Sequence, residues 1–159
     1  MNLGLKNKNA IVCGSTQGIG LATAKELAIQ GVNVTLIARN EHVLNEVVNS
    51  LDTNSGQKHD YLCVDFSDEN FENKINTLTS TYDILVNNTG GPAAGPITNA
   101  KSIDFEKAFK MHLINNHILV KKVVDNMKDN NFGRIINIIS TSVKAPIQGL
   151  GVSNTIRAA

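Results

Sequence analysis

Cysteine and long apolar runs are scarce in this sequence of 159 residues. The two cysteines, Cys13 and Cys63, have no C-x-x-C partner. We therefore expect neither a disulfide nor a metal site, and we expect both cysteines to be small core residues. No apolar run approaches the roughly 20 residues that a membrane-spanning helix requires, so we expect no membrane association.

Charge of either sign is also low, with 15 basic and 14 acidic residues and a formal net charge of +1. Because the lysines are scattered, the sequence lacks the basic footprint of a protein that binds nucleic acid or an anionic membrane surface. The N-terminal segment has no apolar stretch long enough for a signal peptide, which predicts a cytoplasmic protein. The chain is long enough for one soluble domain, residues 1–159, and its 42% hydrophobic residues suffice for a single core.

Glycine, by contrast, is concentrated in an informative place, residues 9–20, with the sequence NAIVCGSTQGIG. A short apolar run is followed by the pattern Gly14-x-x-x-Gly18-x-Gly20, which predicts a buried strand, a tight turn and the start of a helix. The three glycines would let the chain reverse, let backbone approach a ligand, and let the helix pack closely on the strand. The helix N-terminus would then suit a pyrophosphate. On this motif alone, a dinucleotide site has two alternatives, which are a glycine-rich turn that binds no ligand and the similar turn of other nucleotide-binding or methyl-donor-binding proteins.

Apolar periodicity predicts that strands and helices alternate along the chain. The predicted strands are residues 10–13, 32–38, 59–64, 82–86 and 135–140. The first two predicted helices are residues 21–30, with Ile19 and Leu27 on the apolar face, and residues 43–51. The third is capped by Ser67, the fourth runs without interruption over residues 102–127, and the fifth begins near Ser153. Five such alternations predict an α/β fold, a doubly wound parallel sheet of the Rossmann type with at least five strands. Ligands bind such sheets outside the carboxyl ends of the strands.

The end of the second predicted strand indicates which cofactor the fold would take. In β-α-β units of this kind an acid there binds the ribose 2′-hydroxyl, whereas an arginine accepts a 2′-phosphate. The position holds Arg39, 19 residues after Gly20, and no acid follows until Glu41. The sequence therefore favours NADP over NAD, with a surface arginine that ends the strand as the alternative.

Four motifs, in order and at the right spacing, resemble the short-chain dehydrogenase/reductase family, and within it the 3-oxoacyl-[acyl-carrier-protein] reductases. They are the glycine turn, Asp65 after the third strand, the N-N-T-G segment at 87–90 and the G-R-I-I-N-I-I-S segment at 133–140. The resemblance covers residues 5–159 and corresponds to about the N-terminal two thirds of such a protein. It implies a fold that is incomplete on its C-terminal side, with the fifth strand as an exposed edge.

The resemblance also implies a role for residues at each strand end. The pyrophosphate would be lined by Gly14, Ser15, Gln17, Gly18, Ile19 and Gly20, the 2′-phosphate by Arg39, the adenine by Asp65 and Phe66, the ribose by Asn88 and Gly90, and the substrate carbonyl by Ser140. Two of these residues have ordinary structural alternatives. Asp65 could be a loop cap, and the Ser140 hydroxyl could close the end of the strand.

Three of the family's four catalytic positions hold other residues here. The family places a tyrosine 13 residues after the serine and a lysine four residues later, and these positions are Ser153 and Arg157. The family's helix asparagine falls on His112, which is alternatively a packing residue. Tyr61 and Tyr82 lie in or beside earlier strands and cannot substitute by position. The candidate catalytic residues are therefore Ser140, Ser153, Arg157 and His112.

The resemblance implies an NADP-dependent oxidoreductase that reduces a carbonyl in a small-molecule or acyl-carrier-linked substrate, and that is homo-oligomeric at full length. The altered catalytic positions make a nucleotide-binding protein without turnover, a sensor or a remnant, the main alternative. A methyltransferase with the same kind of glycine turn is a third hypothesis. Arg39 disfavours it, because arginine would be a poor partner for a ribose diol.

Overall fold

Five strands form one parallel sheet in the computed structural model, which describes residues 3–158. The strands are β1 (Asn9–Cys13), β2 (Asn33–Ala38), β3 (Asp60–Cys63), β4 (Ile84–Asn87) and β5 (Arg134–Asn137). The helices are α1 (Gly18–Ile29), α2 (Glu41–Ser50), α3 (Phe71–Asn76), α4 (Ser102–Phe109), α5 (Asn115–Asp129) and α6 (Gly151–Arg157). The strand order β3-β2-β1-β4-β5 places β1 at the centre and confirms the predicted doubly wound fold.

The central strand β1 is buried on both faces because its residues are almost all apolar. Ala10 and Val12 pack in one cluster with residues of α1 and α2, whereas Ile11 and Cys13 pack in a second cluster with residues of α3 and α5. Successive side chains of a strand point to opposite faces, so this alternation builds the helical layers on both sides. Cys13 is fully buried, as predicted, whereas Cys63 packs against the first cluster but stays partly exposed.

Helix α1 does not bury the face that periodicity predicts. Its buried residues are Gly20, Ala24 and Ala28, whereas Leu27 is only partly buried and Ile19 is 60% exposed. Small residues let the helix axis approach the sheet closely, so the size of the side chain selects the buried face here more than its hydrophobicity does. The prediction that Ile19 belongs to the face that packs on the sheet is therefore wrong.

The loop before α3 is closed by Asp65 and not by a Ser67 helix cap. Asp65 Oδ1 accepts hydrogen bonds from the Ser67 backbone N–H at 2.8 Å and from the Ser67 hydroxyl at 2.7 Å. Because these bonds fold the chain into a turn directly after β3, the helix begins only at Phe71. The predicted Ser67 cap is wrong, and the loop cap at Asp65 that the sequence left as an alternative is present.

The long helix continues from α4 into α5, but Lys110–Ile114 between them forms a π-helical turn. Phe109 and Asn115 keep right-handed helical dihedral angles, so the chain does not break there. The prediction of an uninterrupted helix is correct for the path of the chain and wrong for this turn. A π turn is wider than an α-helical one and occurs often at functional sites, and this one carries His112.

The turn after β1 is packed so closely that two of its glycines have no room for a side chain. A Cβ atom on Gly20 would lie 2.2 Å from the Gly14 carbonyl oxygen, and one on Gly14 would lie 2.7 Å from the Asn88 carbonyl oxygen. Gly14 and Gly18 also have positive φ angles, of 58° and 56°. The Asn88 side-chain amide donates to the carbonyls of Cys13 and Gly14, at 3.3 and 3.4 Å. These contacts join the end of β4 to the turn after β1.

We expect Gly20→Ala to destabilise the fold by about 1–3 kcal/mol, because the added methyl group forces the helix or the turn to move. The melting temperature of the variant, measured by circular dichroism, should fall. Gly91→Ala is the matched control, because a Cβ there would meet no atom within 4 Å. Equal melting temperatures for the two variants would contradict the packing argument.

Strand β5 forms one edge of the sheet and is exposed along its whole length. Among the strands that the structure describes, it pairs with β4 alone. The side chains of Ile135 and Ile136 point to opposite faces and are 39% and 46% exposed. An unpaired apolar edge is a surface on which another strand can add.

We expect the 159-residue chain to be marginally stable, partly unfolded or associated through β5. Ile136→Lys should shift it towards the monomer, because a charge on an edge strand opposes edge-to-edge pairing. Sedimentation velocity over a range of protein concentrations measures this shift. The control is Ile29→Lys, at a 59% exposed isoleucine of α1. A monomer that unfolds in one cooperative thermal transition would show the prediction to be wrong.

Candidate functional site

A cleft of about 330 Å3 opens at the carboxyl ends of β1, β2, β3 and β4. Residues that follow each of these strands line it, because parallel strands bring their carboxyl ends to the same edge of the sheet. Eight of the predicted cofactor residues are among them, namely Gly14, Gln17, Gly18, Arg39, Asp65, Phe66, Asn88 and Gly90. Four separate stretches of the sequence thus converge on this cleft, which makes it the candidate cofactor site.

The other three predicted cofactor residues, Ser15, Ile19 and Gly20, belong to the same turn and helix start but do not line the cleft. Ser15 is fully buried, and its hydroxyl donates to the Ile37 carbonyl at 3.4 Å. Gly20 packs against the backbone of Gly14. Both residues shape the turn, and cofactor contact by these three residues stays a prediction.

Five residues that the sequence analysis did not select as cofactor residues also line the cleft, namely Thr16, Ala38, Val64, Thr89 and Met111. Thr16 lies inside the glycine motif and Thr89 inside the N-N-T-G segment, so the motifs themselves could have pointed to both. Met111 reaches the cleft from the π turn. Only the tertiary structure reveals its position, because no local pattern relates that turn to the strand ends.

The start of α1 provides hydrogen-bond donors at the cleft. Its first turn carries no acidic residue, and the Gln17 side chain makes no capping hydrogen bond. The first N–H groups of a helix have no acceptor within the helix, and the helix dipole adds partial positive charge there. A Cβ on Gly18 would meet no atom within 4 Å, so the backbone borders open space at this point. These features fit the pyrophosphate of a dinucleotide.

Arg39 and Asp65 bring opposite charges together at the ends of β2 and β3. Arg39 Nη1 lies 3.9 Å from Asp65 Oδ2, and the Arg39 side chain is 81% exposed. Hydrogen bonds from Ser67, with a smaller contribution from the Arg39 charge, hold the pKa of Asp65 below its ordinary value. Asp65 is therefore a carboxylate at neutral pH. Because an exposed ion pair of this length is weak, the guanidinium can turn towards a phosphate.

Buried amide side chains hold the loops around the cleft in place. The fully buried Asn115 donates from Nδ2 to the Phe66 carbonyl at 2.6 Å, which ties the start of α5 to the loop after β3. The Asn87 amide donates to Asn137 Oδ1 at 2.8 Å and joins the ends of β4 and β5. The sequence analysis missed Asn115 and Asn137. An amide among apolar residues could have indicated a polar contact at each of these positions. The partner of Asn115 could not be predicted, because it lies 49 residues away in the sequence.

None of the four candidate catalytic residues lines the cleft within residues 3–158. Ser140 follows β5, and its hydroxyl oxygen accepts a hydrogen bond from the Ser142 N–H at 3.1 Å, as a hydroxyl that closes the strand end would. Ser153 is buried in α6. Arg157 and His112, on separate helical segments, are in contact, with 3.4 Å between Nη1 and Nδ1. The catalytic roles of these four residues stay predictions.

His112 is uncharged at neutral pH in this structure. Its burial, together with the positive charge of Arg157, lowers the pKa of His112 from 6.5 to about 4. A neutral imidazole can donate one hydrogen bond and accept another, but it is a much weaker acid than an imidazolium. The geometry therefore favours a hydrogen-bonding role for His112 over that of a charged proton donor.

Across the part of the chain that the structure describes, no helix is both long and apolar enough to cross a membrane. Residues 3–158 also contain no group of three or more His, Cys, Asp or Glu side chains that could hold a metal ion.

Comparison with known proteins gives matches along almost the whole chain. The profile of the short chain dehydrogenase family matches residues 8–153. The very-long-chain 3-oxoacyl-CoA reductase of Mus musculus is 33% identical over 156 residues, which are 94% of this chain and 50% of that protein. The fatty acyl-CoA reductase of Acinetobacter baylyi is 31% identical over 147 residues, which are 89% of this chain and 50% of that protein.

A solved structure has the same fold. L-sorbose reductase from Gluconobacter frateurii, in complex with NADPH and L-sorbose, superposes with a TM-score of 0.90 and 27% sequence identity. The match covers 99% of this chain and 62% of that one. The chain spans about half the length of the curated relatives it matches. Because the family profile covers nearly all of β1 to α6, this chain belongs to the short-chain dehydrogenase family of oxidoreductases.

Proposed function

We propose that the chain forms the cofactor-binding part of an NADP-dependent reductase of carbonyl compounds, similar to the 3-oxoacyl reductases. Its substrate would be a small carbonyl compound or a carbonyl linked to an acyl carrier. The full-length form would be a cytoplasmic homo-oligomer. A protein of the same family that binds NADP(H) without turnover is the second candidate, and the residues at positions 112, 153 and 157 favour it.

The observation that carries this proposal is the convergence of the predicted cofactor residues on one cleft at the strand ends. The N–H groups at the start of α1 would hold the pyrophosphate, Arg39 the 2′-phosphate, and Asp65 and Phe66 the adenine. Asn88 and Gly90 would contact the ribose. When bound, this cofactor supplies the hydride that reduces the carbonyl carbon. The NADPH complex of L-sorbose reductase supports this choice of cofactor.

Ser140 is the group best suited to hold a carbonyl oxygen. Its own oxygen accepts from the Ser142 N–H, and its hydroxyl hydrogen has no acceptor among residues 3–158. A serine hydroxyl can accept and donate at the same time, so the O–H can point at a substrate oxygen. A donor fixed in this way stabilises negative charge that develops on that oxygen during reduction.

Delivery of a proton to that oxygen is the step for which this chain is poorly equipped. Ser153 occupies the family's tyrosine position, and an aliphatic hydroxyl is far less acidic than a phenol. Arg157 stays protonated and gives up no proton. His112 is neutral at working pH because its pKa is lowered to about 4. These residues can position groups, but none of them is an acid of suitable strength.

Titration of the purified chain with NADPH, NADH and S-adenosylmethionine tests the class of ligand. We expect NADPH to bind about 10 to 100 times more tightly than NADH, because Arg39 makes charge-assisted hydrogen bonds to the 2′-phosphate. Arg39→Asp should reverse this preference, and Arg39→Lys, which keeps the charge, should keep it. Calorimetry measures the three affinities. Equal binding of NADH and NADPH by the wild type would remove Arg39 from the cofactor site, and binding of S-adenosylmethionine alone would overturn the proposal.

We expect cofactor binding to survive while turnover stays slow, even when the chain is extended by the C-terminal part of a relative. The physical reason is the lack of a proton donor with a suitable pKa. Oxidation of NADPH in the presence of 3-oxoacyl and ketone substrates, followed by absorbance, measures turnover. A Ser153→Tyr/Arg157→Lys double variant of the same extended protein should be faster. If the unsubstituted protein turns over fast and the double variant is no faster, another residue carries the proton.

A further inference from the structure

Arg157 carries a partly buried positive charge that no acidic side chain neutralises within the described residues. Its Nη2 donates to the Ile138 carbonyl at 3.0 Å, and its Nη1 donates to His112 Nδ1 at 3.4 Å. Both acceptors are uncharged. Burial lowers the pKa of the guanidinium, and no carboxylate side chain among residues 3–158 opposes this effect. A cation in such surroundings is unfavourable until a counter-charge pairs with it.

The contact with Arg157 also fixes which nitrogen of His112 carries the proton. A guanidinium can only donate, so His112 Nδ1 accepts, and the hydrogen of the neutral ring is on Nε2. That Nε2 atom is buried and has no hydrogen-bond partner among residues 3–158. A buried N–H without an acceptor costs free energy, and an acceptor placed beside it would recover that cost.

Arg157 and His112 line the same cavity, which has a volume of about 260 Å3. Its wall also contains His117, the amides Asn116 and Asn137 and several aliphatic side chains, and among residues 3–158 it contains no aspartate or glutamate. Asn116 Oδ1 is a buried acceptor without a partner among the same residues. Asn137 Oδ1 is already occupied by the Asn87 amide. The cavity and the cofactor cleft have no lining residue in common. Within residues 3–158 this is therefore a second site, with cationic and neutral donors and without an acidic side chain.

We propose that this cavity binds a small carboxylate anion between Arg157 and His112. A guanidinium has five N–H donors, and two are used by Ile138 and His112, so others are available to a ligand. The planar fork matches the two oxygens of a carboxylate. The aliphatic walls from Ile139 and Ile156 suit a short apolar stem. The inference does not rest on the proposed function, because the cavity is separate from the cofactor cleft.

Titration of the 15N-labelled 159-residue chain with acetate, followed by NMR of the histidine side chains, tests the site. We expect a saturable shift of the His112 Nε2 signal with acetate, and none with acetamide or with chloride at equal ionic strength. His42 and His59 do not line the cavity and are internal controls. Arg157→Gln should weaken binding at least about 10-fold, because it removes the charge. Arg157→Lys keeps the charge but lacks the planar fork, so its affinity for acetate should lie between those of the wild type and of Arg157→Gln.

Three results would overturn the proposal. They are an equal shift with chloride or acetamide, a shift that never saturates, and acetate binding of unchanged strength in Arg157→Gln. If Arg157→Gln does not fold, the comparison of acetate with acetamide on the wild-type chain still decides, because the two molecules share their shape and differ in charge. Cofactor affinity, measured in the same samples, reports separately on the cleft.

Discussion

The contact between Gly20 and the Gly14 carbonyl is the constraint on which the rest of the site depends. With 2.2 Å between that oxygen and the place where a Cβ would be, α1 can lie over the end of β1 only because position 20 has no side chain. The approach fixes the direction of α1, so its N-terminal N–H groups face the cleft. Asn88 then locks the end of β4 onto the same turn through its amide. Close packing at this point fixes how the predicted cofactor residues of the turn after β1 and of the end of β4 lie relative to one another.

Helix α5 is held at both ends by amides, and this determines the far side of the cleft. Asn115 at its start donates to the Phe66 carbonyl, and Asn126 near its end donates to the Tyr82 carbonyl at 3.0 Å. Each bond satisfies a backbone carbonyl outside the sheet ladder, where no strand could supply a donor. Since Met111 lies in the π turn directly before α5, these amides also set how that side chain reaches the cleft. Polar groups in this core specify position, while apolar contacts supply most of the stability.

Features encoded by neighbouring residues were predictable from the sequence, and features set by distant contacts were not. The strand, turn and helix around Gly14 follow from local conformation, and the position of Arg39 at the cleft follows from its place at a strand end, so both positions were predicted correctly. The buried face of α1 was missed because the sheet selects Ala24 and Ala28 for their small size. The Ser67 cap failed because Asp68 Oδ1 accepts from the Asn70 N–H at 2.8 Å, and that N–H is the donor that a Ser67 cap would need.

In the proposed function, cofactor binding and proton delivery would make different demands on this fold. Binding would use the backbone N–H groups at the start of α1, which depend on the main-chain path, and a cation at the end of β2, which depends on the single side chain of Arg39. Proton delivery requires an acid whose pKa lies near the working pH, which depends on the identity of one or two side chains. The two side chains in question are Ser153, whose hydroxyl is too weak an acid, and Arg157, whose guanidinium donates to the Ile138 carbonyl and to His112. Arginine is not equivalent to the lysine that the family resemblance implies at this position, because the planar guanidinium donates to the Ile138 carbonyl, directly after β5, and to His112 Nδ1 at the same time. The candidate cofactor cleft can therefore stay intact while α6 and the π turn form a different set of hydrogen bonds.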